Sequence, residues 1–169
     1  MTSIAVNHEK KNHFLNNKWI LWAHLPHNTD WSLKSYIKVS EIATVEKMIK
    51  LSNNIPDIMV TNCMLFLMRN GINPTWEDPH NINGGCFSFK ISNNKVVNVW
   101  KKLNYLITGE TLSKNDDFMD NVNGITISPK KQFCIIKIWM KNLDYQSTSD
   151  IVNIEGLIMS GCLFKRHKN

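Results

Sequence analysis

Apolar and polar positions along the 169-residue chain follow two different rhythms. Short apolar or alternating runs rich in β-favouring residues predict strands at Lys18-Trp19-Ile20-Leu21-Trp22-Ala23-His24, Tyr36 to Val39, Cys63 to Met68, Cys86 to Ile91, Ile125 to Ser128 and Phe133 to Met140. Two stretches keep the helical period instead. Thr44 to Leu51 spaces Val45, Met48 and Ile49 for one helix. Asn94 to Thr108 lines Val96, Val99, Trp100, Leu103, Leu106 and Ile107 along one face of another, and Gly109 stops it. Ser149-Asp150 is placed to cap a last helix carrying Ile151, Ile154 and Ile158 on one side. Loops fall at Pro26 to Asp30, at Gly71 to Asp78 and at the Pro129-Lys130-Lys131 turn. Interspersed helices and short strand connections predict an α+β fold, a mostly antiparallel sheet with helices on one face. Residues 1–12 are polar and read as a flexible tail. Residues 13–169 show no repeat and no linker and read as one domain.

Composition narrows the partners. At 43% hydrophobic and 20% charged, the chain has the makings of a packed core rather than of disorder. A net charge of +6 favours anionic partners such as RNA or phosphate-bearing ligands. The four cysteines form no CxxC pair, which points to reduced, buried thiols and a reducing, cytoplasmic setting rather than to zinc or a redox motif. No apolar run is long enough to span a bilayer, so no membrane partner is expected. The sequence carries no P-loop, GxSxG, HExxH or GxGxxG, and no nucleophile stands beside an obvious base. The expectation is therefore a binding protein, not an enzyme, with neither cofactor nor metal. His24 and His27 read as a surface-loop pair, and Asp116, Asp117 and Asp120 as a solvated acidic loop.

The tryptophans change the picture. Trp19, Trp22 and Trp100 lie in regular apolar patterns and read as core. Trp31, in Asn28-Thr29-Asp30-Trp31-Ser32, and Trp76, in Gly71-Ile72-Asn73-Pro74-Thr75-Trp76-Glu77-Asp78, sit in polar loops that bury no ring by pattern. Two loop tryptophans, one beside a carboxylate, fit a stacking site for a flat, cationic ligand.

Several pieces then carry a resemblance: His13-Phe14-Leu15 followed by Trp19 and Trp22; Thr44-Val45-Glu46; Gly71-Ile72 with Pro74 and Trp76-Glu77-Asp78; Asn83-Gly84-Gly85; Trp100 with Gly109-Glu110; and Ile138-Trp139. In order and spacing, over residues 13 to 140, the chain resembles eukaryotic translation initiation factor 4E, the family that binds the 7-methylguanosine cap of messenger RNA. The resemblance implies a curved sheet with the cap slot on its concave face, and capped mRNA as the partner rather than DNA. It implies that Trp31 and Trp76 sandwich the methylated base, whose positive charge adds a cation–π gain. Glu77 matches the glutamate that accepts from guanine N1–H and N2–H, a bidentate pair that adenine cannot supply. Trp139 matches the tryptophan near the N7-methyl; as a strand-end residue it reads equally well as core.

For the cap phosphates, Lys130 falls at the family's arginine place, and Lys137 shares a strand face with Trp139. Lys130 and Lys137, with Lys131 in reserve, are the expected contacts. Cys86 replaces an arginine of the family after the Gly-Gly pair. The resemblance further implies a dorsal patch for a helical peptide of a 4G-type scaffold protein. Here the chain departs: Phe14 stands for a proline, Ile49 for a tryptophan, Lys101 and Tyr105 for leucines, while Val45 is kept. Weak or no binding of ordinary scaffold peptides is expected, with either a divergent partner or action without a scaffold. Only Gly161 to Asn169 follow the last expected helix. The further strand and closing loop implied by the resemblance are therefore expected to be lost, opening the slot beside the phosphates. Basic Lys165-Arg166-His167-Lys168 is expected to compensate in part by touching RNA. Promotion and repression of translation both stay open. The alternative is a family scaffold that has lost cap binding and serves as a protein-interaction module or translational repressor.

Overall fold

The structure, a computed structural model, describes residues 12–168. Residues 1–11 of the expected tail lie outside the described residues. Among the described residues, seven strands form one sheet: β1 Phe14–His24, β2 Tyr36–Thr44, β3 Met64–Arg69, β4 Gly85–Ser92, β5 Val122–Pro129, β6 Phe133–Met140 and β7 Leu163–Arg166. Their order is β2-β1-β3-β5-β6-β4-β7, and every pairing is antiparallel. The helices are α1 Val45–Asn54, α2 Asp57–Asn62, α3 Asn93–Thr108 and α4 Asp116–Asn121. This is the expected α+β architecture.

The two-residue period of a strand divides the sheet into two chemically different faces. On β6, Cys134, Ile136, Ile138 and Met140 join Trp19, Leu21, Leu65 and Leu67 in the main core under the helices. The α3 face presented to them is Val96, Val99, Trp100, Leu103 and Ile107, all buried. Each such aliphatic side chain removed from water contributes about 2 kcal/mol. The other face carries a smaller cluster of Phe66, Met68, Ile72 and Trp139, with Trp22, Tyr36 and Met64 packed beside it. That second face becomes the floor of the candidate site.

Local chemistry explains the helix ends. The Thr44 hydroxyl accepts from the Lys47 amide at 3.2 Å and starts α1. Ahead of it, His13 Nδ1 meets the Glu46 carboxylate at 2.5 Å and the His13 amide donates to the same group at 3.0 Å, tying the start of β1 to α1. The side-chain bond from His13 is the main reason that the exposed Glu46 carboxyl is drawn down to about 2.

Three expectations are corrected. Asp116, Asp117 and Asp120 are not in a loop but in α4, whose start is capped by Asn115 Oδ1 accepting from the Asp117 and Phe118 amides at 3.1 and 3.3 Å. The last helix does not form. Thr148–Asp150 makes one 3-10 turn, capped by Ser147 rather than Ser149. Beyond it Ile151, Ile154 and Leu157 are buried, but Ile158 is 65% exposed. Gly156, at φ +91°, turns the chain against α3, and a Cβ there would meet Val99 Cγ2 at 2.7 Å. A helical backbone cannot hold that φ. Finally, the chain does have a further strand after this segment: β7 pairs with β4, setting Lys165 opposite Cys86 and Phe164 opposite Phe87. Gly85 permits it, since a Cβ at that position would lie 2.5 Å from the Lys165 carbonyl oxygen.

Candidate functional site

A cleft of about 410 Å³ opens over the second face of the sheet. Trp31 and Trp76 both line it and remain 56% and 45% exposed. The structure also brings Glu77, Lys137 and Trp139 to the same cleft. Sequence-distant segments thus converge on one space, with three indoles, one carboxylate and basic groups around it.

The Trp76 loop is pinned from inside. The buried Asp78 carboxylate accepts from the Asn73 amide through Oδ2 and from the His80 amide through Oδ1, each at 2.9 Å. His80 Nδ1 lies 2.9 Å from Oδ1 as well. Burial pushes the Asp78 carboxyl up, but those bonds outweigh it and hold the group below the ordinary carboxylate range. Asn81, fully buried, donates to the main-chain carbonyls of Asn73 and Thr75 at 3.2 and 2.8 Å. Asn123 on β5 donates in turn to Asn81 Oδ1 at 2.9 Å and to the His80 carbonyl at 2.8 Å. Gly71 takes φ +88° where the chain leaves β3, a conformation that glycine adopts without strain. At the base of the loop, Arg69 lies 4.6 Å over the Trp19 ring and donates to Glu110 at 2.6 Å and to the Val122 carbonyl at 2.6 Å.

The Trp31 loop is held differently. The Asp30 carboxylate accepts from the Ser32 amide at 2.8 Å and the Ser32 hydroxyl at 3.0 Å, bonds that draw its pKa down. His24 supports it from below: Nε2 donates to the Asp30 main-chain carbonyl at 2.8 Å. The expected surface-loop pair of histidines is corrected here. His24 is only 2% exposed, at the end of β1, because the strand period turns it toward the same face as Ile20 and Trp22. His27 is exposed, in the following turn at φ 67°.

Cross-strand register builds the floor. Trp139, Cys86 and Lys165 stand opposite one another on β6, β4 and β7; Lys137, Ser88 and Leu163 form the next row. Directly opposed residues share a face, so Lys137 and Lys165 stand together at one end of the cleft, with Arg166 also lining it. His167 packs on Trp139, ring centroids 4.8 Å apart. Burial and then the Lys137 charge lower its pKa, which favours the neutral ring. Lys130 and Lys131 lie in the β5–β6 turn and do not line the cleft.

On the opposite side of the sheet, Val45, Ile49 and Tyr105 meet in an apolar groove of about 380 Å³, joined by Leu15 and Met48. Phe14 is 79% exposed beside it. Lys101 is drawn off toward α1, donating to Asn53 Oδ1 at 2.6 Å.

A family profile described as eukaryotic initiation factor 4E matches residues 14–163. The chain belongs to that family. An initiation factor 4E homologue from Acanthamoeba polyphaga mimivirus is 48% identical over 62 residues, 37% of this chain and 23% of that one. Initiation factor 4E from Eremothecium gossypii is 30% identical over 138 residues, 78% of this chain. The chain spans 64% of that relative, less than two thirds of its length. Among solved structures, Caenorhabditis elegans eIF4E-3 in complex with the 4E-binding protein Mextli and cap analog aligns with a TM-score of 0.70 at 25% identity, over 78% of this chain and 76% of that one.

Sequence reasoning did not single out Tyr36, His24, Asn81, Asn123 or His167 as parts of this 4E-family cleft. Tyr36 lines it, and its phenol is pushed up by burial and then by the Glu77 carboxylate. The one signal available was alternation: Trp22 and His24 share a face on β1, as Lys165 and His167 do across the end of β7.

Proposed function

We propose that this chain binds the 7-methylguanosine cap of mRNA through one domain, residues 13–169, and acts in translation initiation or its control. The observation that carries this is the convergence of Trp31, Trp76 and Glu77 on one cleft with a basic end. Trp31 and Trp76 stack on the two faces of the base, Glu77 accepts from the guanine edge, and Trp139 packs near the methyl group. The base is cationic, so two electron-rich indoles favour it over plain guanine. Lys137 contacts the phosphates, joined by Lys165 and Arg166. Lys130 and Lys131 contribute less, since they stand in the turn. The role is binding, with no catalytic step. The cap analog in the C. elegans complex supports the ligand class.

Tryptophan fluorescence titrated with 7-methyl-GTP and with GTP tests this. Strong quenching by the methylated ligand alone is expected, and Glu77→Ala weakens it roughly a hundredfold, since a charge-assisted bidentate pair is lost. No response to either ligand would favour the alternative, a protein-interaction module without cap binding. Charge reversal at Lys165 should weaken 7-methyl-GTP binding more than nucleoside binding, and more than reversal at Lys130 does; equal effects would remove Lys165 from the phosphate site.

The apolar groove supports a second part of the proposal, a helical peptide of a divergent 4G-type partner lying across Val45, Ile49 and Tyr105. Mextli in the C. elegans complex is a 4E-binding protein. Ile49 offers less buried area than a tryptophan and no N–H donor. A standard scaffold peptide should therefore bind weakly in a direct titration, and tight binding would count against a divergent partner.

A further inference from the structure

Given the cap-binding role proposed above, we propose that His24 is the backing plate of Trp31, and that its charge state sets how strongly Trp31 attracts a cationic base. The imidazole lies parallel to the indole, with centroids 4.1 Å apart and planes within 1°. Among the described residues this is the parallel-stacked pair; the other aromatic contacts are tilted or edge-on. One face of Trp31 is thereby covered, and the ring still lines the cleft. The imidazole cannot swing away. Its Nε2 donates to the Asp30 carbonyl at 2.8 Å, and the Tyr36 ring packs against it at 5.2 Å and 62°.

An apolar ring would fill this space without the cost of burying a polar one. A histidine differs in being able to carry charge. While neutral, it leaves the π-density of Trp31 facing the slot undisturbed. Once protonated, it pulls that density away and sets a like charge behind the indole, two stacking distances or on the order of 8 Å from the methylated base. At an effective dielectric constant of about 20, that repulsion corresponds to roughly thirtyfold in affinity between the neutral and the fully charged ring.

The groups around His24 come from each neighbouring element. The Asp30 carboxylate, on the loop after β1, attracts it, and Ser32 holds that carboxylate in place. Tyr36 faces it from β2 and stays neutral, because burial and then Glu77 across the cleft push its phenol up. Met64 stands opposite it on β3 and carries no charge. By reciprocity, a bound cap makes His24 harder to protonate.

The test compares 7-methyl-GTP affinity for the full chain and for His24→Phe at about pH 7.5 and about pH 5.5, either side of the imidazole range. Phenylalanine keeps a ring behind Trp31 but takes no charge. Titration of the ligand, and of His167 at the other end of the cleft, is common to both proteins and cancels in their ratio. The wild-type affinity relative to His24→Phe should fall on acidification, by up to about thirtyfold as the ring becomes charged. An unchanged ratio overturns the proposal and leaves cap binding standing. Should His24→Phe not fold, the imidazole resonances of the wild type decide: bound 7-methyl-GTP must lower the pH at which His24 takes up its proton, and an unmoved titration overturns the proposal. Absence of 7-methyl-GTP binding to the wild type at either pH overturns the cap-binding role, and this proposal with it.

Discussion

The two tryptophan loops of the cleft present similar rings and are built on opposite plans. Trp76 rides on a loop pinned by a buried carboxylate and two buried amides, with one anchor, Asn123, reaching up from the sheet. Trp31 rides on an exposed turn whose own bonds are short-range, Asp30 to Ser32, and among the described residues it is anchored to the sheet through His24. A buried polar network fixes geometry because every unpaired member is costly. An exposed turn can shift at little cost, because water replaces each lost partner. The structure thus pairs a rigid plate, which also carries Glu77, the residue proposed to read guanine, with a plate whose position depends on one stacked ring.

Breaking the rigid plate should have the larger consequences. Asp78→Ala leaves the partly buried Asn73 and His80 amides without their carboxylate acceptor and should cost about 3 kcal/mol. Thermal unfolding should then shift downward by about 9 °C, with cap-dependent quenching lost at temperatures where the wild type retains it. Asn123→Ala removes one anchor and takes away the donor to Asn81 Oδ1. It should cost about 2 kcal/mol and weaken cap quenching less than Asp78→Ala does. A loss equal to that of Asp78→Ala would mean that the sheet anchor, not the loop carboxylate, dominates.

Acid provides a graded version of the same break. Asp78 is held below its ordinary value of 3.8, so it stabilises the fold at pH values above 3.8. That contribution is lost as pH falls below this value through the folded-state pKa. In Asp78→Asn the same acid limb of a stability-versus-pH curve should be flatter. Asp30→Ala should have the smallest effect on folding, leaving the melting temperature within error of the wild type. It should nonetheless alter the quenching contributed by Trp31, because the turn that carries the ring is released. A large drop in stability from Asp30→Ala would erase the distinction between the two plates.

The helix α3 and the strands β1, β3, β4 and β6 were legible because their apolar spacing repeats over enough residues to oppose noise. The helices α2 and α4, six residues each, were not; α4 is fixed by its Asn115 cap and by burial of Phe118 and Met119. The four-residue β7 has almost no pattern of its own and exists through pairing with β4. At the cleft, Trp31, Trp76 and Glu77 were legible because large rings and an acid in polar loops conflict with ordinary burial preferences. Lys165 and His167 were legible only as part of a basic stretch touching RNA, since such a stretch looks the same whether it trails into solvent or lines a cleft.

By itself the sequence determined which residue types this protein brings to its candidate site: two loop indoles, a carboxylate and an excess of positive charge. Those follow from composition and local spacing, which the chain carries wherever it goes. Only the tertiary structure decided which lysines stand beside the indoles, that the chain returns as β7 to complete the sheet, and that a histidine lies under one of the two tryptophans. These depend on strand register and on contacts between residues far apart in sequence. A one-residue slip would turn each of those side chains to the other face of the sheet.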